Sequence, residues 1–184
     1  MDFFRPEIAG LAVITPKVFA DQRGYFFESY NEAAWKEACG GAVFVQDNES
    51  FSKKGTLRGL HFQKPPYAQA KLVRVLDGVV WDVAVDLRRS SPTFGKWFGV
   101  ELSAENKKQF FIPRGFAHGF SVLSETARFA YKCDNLYHKE AEGAILFTDP
   151  DLNIDWKINP ADAVLSDKDL KNPSFACYQE DPCF

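Results

Sequence analysis

Residues 79–87 read VVWDVAVDL. Val79, Trp81, Val83, Val85 and Leu87 occupy alternate positions, and Asp82 and Asp86 fall between them. Apolar groups spaced two residues apart describe a pleated strand with one face toward a core and the other toward water. The same period runs outward in both directions, through 11–18, 25–30, 56–63 and 71–76 on one side and 98–102, 109–112, 116–123 and 127–133 on the other. Asp77-Gly78, Ser91-Pro92, Pro113-Arg114-Gly115 and Asp149-Pro150 punctuate these runs with turn chemistry. Helical signals are confined to two places. Residues 31–39 (NEAAWKEAC) open on Asn31, a good N-cap, and stop at Gly40-Gly41, and a short turn near 166–170 is closed by Asn172-Pro173. Many short strands with few crossover helices predict an all-β antiparallel barrel or jelly roll rather than a parallel α/β sheet.

Composition agrees. The 184 residues include 18 Phe against 13 Leu, with one Met and three His, a balance that favours sheet over helical bundle. No repeat or low-complexity linker divides the chain, so residues 1–184 read as one domain. Twenty-two basic against 25 acidic side chains leave a net charge of −3, which supplies no global positive field for nucleic acid or an anionic membrane. Asp2, Arg5 and Glu7 interrupt any apolar stretch of signal-peptide length, and nothing approaches ~18 uninterrupted apolar residues. Cys39, Cys133, Cys177 and Cys183 form no CxxC pair, so free thiols in the cytoplasm are expected, although Cys177 and Cys183 are near enough in sequence to close a small loop.

Strand parity also exposes ionisable groups in phase with apolar ones. His118 keeps step with Phe116, Phe120 and Val122; Tyr131 with Ala127, Phe129 and Cys133; Lys71 with Val73 and Val75; His61 with Leu57. All four are predicted to face the interior. A core tyrosine or a histidine on a backbone carbonyl is ordinary, but an ammonium among apolar neighbours is costly without a partner. Two imidazoles, an ammonium and a phenol converging inside a barrel describe a pocket with acid, base and charge-stabilising groups. Gln63 stands where a second in-face imidazole would complete a metal pair next to His61, and His138 sits in a polar segment, so no metal is expected. No Gly-x-Ser-x-Gly elbow is present and no cysteine adjoins a histidine, which disfavours nucleophilic catalysis. Proton transfer beside a carbonyl suits the set: a base removes the proton, a cation stabilises the enolate oxygen, and an acid returns a proton to the opposite face.

The runs DQRGYFFESY (21–30), FVQDNESFS (44–52), LRGLHFQ (57–63), AKLVRVLDGVVWDVAVDLR (70–88), IPRGFAHGFSVLS (112–124), YKC (131–133) and LSDKD (165–169) resemble, in order and over nearly the whole chain, the dTDP-4-dehydrorhamnose 3,5-epimerase family. The resemblance implies a cupin-type jelly roll, a homodimer that exchanges N-terminal strands, no metal or organic cofactor, and epimerisation of dTDP-4-dehydro-6-deoxy-D-glucose at C3 and C5 in dTDP-L-rhamnose biosynthesis. Carried over by motif, it makes His61 the base, Asp169 its supporting carboxylate, Tyr131 the acid and Lys71 the enolate stabiliser. It places Arg58 and His118 at the sugar and phosphates. Arg23, Glu28, Gln46, Asn48, Glu142 and Lys168 fall at the nucleotide, with Phe26 and Tyr137 suited to stack on thymine. Two points rest on the resemblance alone. Asp169 is not separable by pattern from Asp151, Asp162 or Asp167, and Arg58 and His61, three apart, belong on opposite faces of an ideal strand. Gly59 between them is expected to mark a bulge or strong twist. Single-carbon epimerisation of a related dTDP-sugar, nucleotide-sugar binding without turnover, and a metal-dependent cupin oxygenase are the competing readings.

Overall fold

Period two is realised in thirteen strands: β1 (Asp2–Phe4), β2 (Ala12–Thr15), β3 (Phe19–Asp21), β4 (Gly24–Phe26), β5 (Gln46–Lys53), β6 (Leu57–Gln63), β7 (Lys71–Asp77), β8 (Val79–Asp86), β9 (Trp97–Ser103), β10 (Gln109–Ile112), β11 (Phe116–Val122), β12 (Thr126–Cys133) and β13 (Glu142–Ala144). This computed structural model describes residues 1–36 and 39–184. Six strands form one sheet in the order β1-β2-β10-β7-β12-β5, five form a second in the order β13-β6-β11-β8-β9, and β3 and β4 make a separate two-stranded ribbon. Every strand pair is antiparallel. The two large sheets pack face to face, the jelly-roll architecture expected from the sequence.

Apolar residues fill three layers. Between the sheets, Val13, Val73, Val75, Phe110, Ile112, Ala127 and Phe129 meet Val80, Ala84, Leu102, Phe116, Phe120 and Val122. Phe120 and Phe129 stack across this layer with ring centroids 4.2 Å apart. Each fully buried Val, Leu, Ile or Phe among them contributes roughly 1.5–3 kcal/mol. Outside the five-stranded sheet, Leu57, Leu60, Phe62, Val83, Val85 and Leu87 are covered by Ile145, Phe147, Leu152, Trp156 and Phe175 from the C-terminal segment and its helix α2 (Phe175–Glu180). Outside the six-stranded sheet, Ile14, Leu72 and Phe111 lie under Trp35 of helix α1 (Glu32–Trp35), which Asn31 caps by accepting from Ala34 N at 3.2 Å.

Several expectations need correction. β8 is buried on both faces: its odd residues pack under the C-terminal segment, its even ones line the sandwich interior, and Asp82 and Asp86 are 0% exposed rather than turned to water. Apolar Val80 and Ala84 on the even face carry that signal. Only 25–26 of the run 25–30 is strand, within β4, while β1, β3, β5, β13 and α2 carry no expectation from period two. β5 (QDNESFSK) is almost wholly polar, so it holds its place by pairing with β12 over eight residue pairs rather than by an apolar face. The helix foreseen over 31–39 is seen at Glu32–Trp35, and Glu37 and Ala38 lie outside the described residues. The turn near 166–170 is a 3₁₀ turn at Asp169–Lys171. All four cysteines are free.

Candidate active site

Two adjoining cavities of about 260 and 770 Å³ open at one end of the sandwich and share His61, Lys71, Tyr131, Glu142 and Lys168 in their walls. His61 stands on β6 of the five-stranded sheet, and Lys71 and Tyr131 stand on β7 and β12 of the six-stranded sheet. The base and acid candidates therefore belong to facing walls, and stacked sheets lie ~10 Å apart.

A bulge aims His61. β6 pairs His61 with His118 and Arg58 with Phe120, so Gly59 and Leu60 together oppose Gly119. The extra residue switches strand parity, and Arg58 and His61 reach the same cavity while Leu57, Leu60 and Phe62 pack on the outer face. His61 thus faces away from Leu57, against simple parity, and its inward orientation comes from the bulge. Gly59 has φ +139°, and a Cβ there would sit 2.6 Å from Gly119 Cα, so the close crossing requires glycine.

His61 Nε2 lies 2.5 Å from Asp169 Oδ1, and Asp169 Oδ2 accepts from Ser166 Oγ at 2.8 Å. Burial by itself would raise the Asp169 carboxyl, but its bonds from His61, Ser166 and Asn172 outweigh that and hold it below the usual aspartate value. The carboxylate is 5% exposed and the imidazole 41%, so the ring can reach a ligand while its partner stays fixed. Burial pushes the Tyr131 phenol up, which keeps its proton on. Burial pulls the Lys71 ammonium down, and its Nζ lies 5.7 Å from the Tyr131 ring centroid.

Arg58 donates from Nε to Ser52 Oγ at 3.1 Å. His118, 7% exposed, lines the larger cavity with Phe120 and Phe129. Gln46, Asn48 and Tyr137 line the smaller one: Gln46 donates to Asn48 Oδ1 at 3.1 Å and accepts from Tyr137 N at 2.9 Å. Tyr137 Oη donates to Glu142 at 3.2 Å, and Glu142 pairs with Lys168. Gln63 Oε1 accepts from His138 N and its amide donates to Tyr67 O and Leu136 O, so it ties two loops together behind the site.

Three predicted residues are not brought here. Arg23 and Phe26 lie on the β3–β4 ribbon, where Arg23 pairs with Asp21 and Phe26 is 69% exposed, and Glu28 accepts from Asn31. Sequence reasoning missed Asp82, whose two oxygens lie 3.0 and 3.1 Å from His118 Nε2. Its phase with Val80 and Ala84 was the available signal. Among the described residues, no group of three or more His, Cys, Asp or Glu is placed to hold a metal ion.

Comparison with known proteins decides the family. The profile described as dTDP-4-dehydrorhamnose 3,5-epimerase matches residues 5–177. The chain belongs to the dTDP-4-dehydrorhamnose 3,5-epimerase family. It is 56% identical over 177 residues to the Shigella flexneri dTDP-4-dehydrorhamnose 3,5-epimerase, covering 95% of this chain and 96% of that one. Among solved structures, the Elizabethkingia anophelis enzyme of that name superposes with a TM-score of 0.92 at 58% identity, covering 99% of this chain and 98% of that one. A Legionella pneumophila dTDP-6-deoxy-D-glucose-3,5-epimerase, solved in complex with dTDP-4-keto-L-rhamnose, has a TM-score of 0.90 at 51% identity, covering 94% and 92%. The cupin jelly roll is thus the family's, and the activity is that of a dTDP-4-dehydrorhamnose 3,5-epimerase, an isomerase of dTDP-L-rhamnose biosynthesis.

Proposed function

We propose that the chain performs this double epimerisation on dTDP-4-dehydro-6-deoxy-D-glucose through enolates, with His61 as base, Asp169 supporting its imidazolium, Tyr131 as acid and Lys71 at the enolate oxygen. The observation that supports this most is the placement of His61 on one sheet, backed by Asp169 from a 3₁₀ turn, and of Tyr131 with Lys71 on the other sheet, around a common cavity. The 4-keto group acidifies the hydrogens at both C5 and C3. His61 takes the C–H proton, the bonding pair forms the C=C bond, and the carbonyl pair moves to O4, where the Lys71 ammonium meets the negative charge. Tyr131 then protonates the same carbon from the opposite face, and inversion results. A second round at the other carbon completes the reaction. Arg58 and Lys168 would hold the diphosphate, His118 the sugar, and Gln46, Asn48, Tyr137 and Glu142 the nucleoside, fixing the ring between base and acid. No metal or organic cofactor enters this scheme. His61→Asn should abolish exchange of the sugar's carbon-bound hydrogen with solvent while the protein still binds dTDP; retained exchange would remove His61 as base.

The active form in this proposal is a homodimer of single-domain chains, residues 1–184, with exchanged N-terminal strands. Among the described residues the β3–β4 ribbon pairs with no other strand, and it exposes Phe19, Tyr25 and Phe26, so Arg23, Phe26 and Glu28 are available to a second chain's cavity. Mixing Arg23→Ala with His61→Asn should recover activity absent from either alone if the ribbon crosses. Failure to recover, or a monomer by sedimentation, would end this part. Four free cysteines fit a reducing cytoplasm, and among the described residues no helix is long and apolar enough to cross a membrane.

A further inference from the structure

Asp82 is fully buried at the middle of β8, and none of the roles above uses it. Both of its oxygens lie within hydrogen-bond distance of His118 Nε2, at 3.0 and 3.1 Å. The His118 ring is further confined by Phe129, stacked at 6.1 Å between centroids, and no hydrogen bond engages its Nδ1 among the described residues. An uncompensated charge in such a place would be very costly.

We propose that Asp82 is a positioning residue for the epimerisation: it keeps the His118 proton on Nε2, so that Nδ1 presents a lone pair to a sugar hydroxyl. This inference rests on the epimerase reading. It explains why a carboxylate lies behind a wall otherwise built of phenylalanine and valine, and why the imidazole there is tethered through one nitrogen only. Asp82 need never touch substrate. Its effect passes through His118, which does.

Two experiments test it. Nitrogen-15 NMR of the three histidines in the wild-type protein reads the His118 tautomer directly. A proton on Nε2 with a bare Nδ1 is expected, and a proton on Nδ1 overturns the proposal. Asp82→Asn, nearly isosteric, should lower kcat about 100-fold while KM and dTDP affinity stay within about threefold of wild type. A near-normal kcat, or a loss carried wholly by KM, would overturn it. If Asp82→Asn does not fold, the tautomer measurement decides alone. Wild-type protein that exchanges no substrate hydrogen, with the His118 tautomer as stated, would instead overturn the epimerase reading.

Discussion

The site holds two histidine–aspartate pairs that differ in how much water they see. His61 meets Asp169 at 2.5 Å with its ring 41% exposed and its carboxylate carried on a 3₁₀ turn. His118 meets Asp82 at 3.0 Å, with ring and carboxylate 8% and 0% exposed and both carried on neighbouring strands. The same two side chains therefore make different devices. A ring that reaches the cavity, backed by a fixed anion, can take a proton and hold the resulting charge. A ring packed against Phe129 at the cavity wall takes up a proton less readily, since burial lowers His118, and its Nε2 is tied to Asp82.

Exchanging the perturbation between the pairs gives the largest contrast. His61→Asn should reduce turnover by up to roughly 10⁴-fold, whereas His118→Asn should cost about 10²-fold and leave measurable solvent exchange. Equal losses would erase the distinction between a proton-moving and a proton-holding pair. Asp169→Asn should leave the fold intact and lower kcat roughly 10²–10⁴-fold, because the imidazolium loses its counter-charge and the ring its orientation. Near-normal turnover would detach Asp169 from the mechanism.

The bulge that aims His61 can be attacked directly. Gly59→Ala forces a Cβ against Gly119 Cα at a φ of +139°, and a loss of about 3 kcal/mol is expected in chemical denaturation. An unchanged denaturation midpoint would mean that β6 does not cross β11 in this way. A smaller effect follows from titration. The Asp169 carboxyl is held below its ordinary value of 3.8, so the unfolded chain binds its proton first as pH falls. The pair's contribution is fully present above that ordinary value and is lost as pH drops through the depressed one. Thermal melts between pH 5 and pH 3 should therefore fall more steeply for wild type than for Asp169→Asn, and parallel curves would contradict the pairing. Least of all is expected from Glu142→Gln: its pairing with Lys168 is partly exposed, worth roughly 0–1 kcal/mol, so stability should hardly move and only KM should rise.

Alternation made the inward positions of His118, Tyr131 and Lys71 legible, because Phe116, Phe129 and Val73 share their phase. The same rule failed twice for identifiable reasons. On β6 a single extra residue inverts the phase, and only Gly59 hinted at it. On β8 both faces are covered, so an aspartate between valines is an interior group instead of a solvated one. Asp169 was beyond any periodic signal, since its 3₁₀ turn is positioned by Ser166 and by contact with β6, 108 residues away from His61 in sequence. Arg23, Phe26 and Glu28 illustrate a further limit: the fold does not bring them to the cavity of their own chain, and alternation says nothing of distance from it.

Solvent-hydrogen incorporation tests the central claim most directly. When the protein is incubated with dTDP-4-dehydro-6-deoxy-D-glucose in deuterium oxide and the sugar is examined by NMR, deuterium should enter at both C3 and C5, with both centres inverted in the product. Label confined to one carbon, or label absent while dTDP still binds, would contradict a double epimerisation run by His61 and Tyr131 from facing walls.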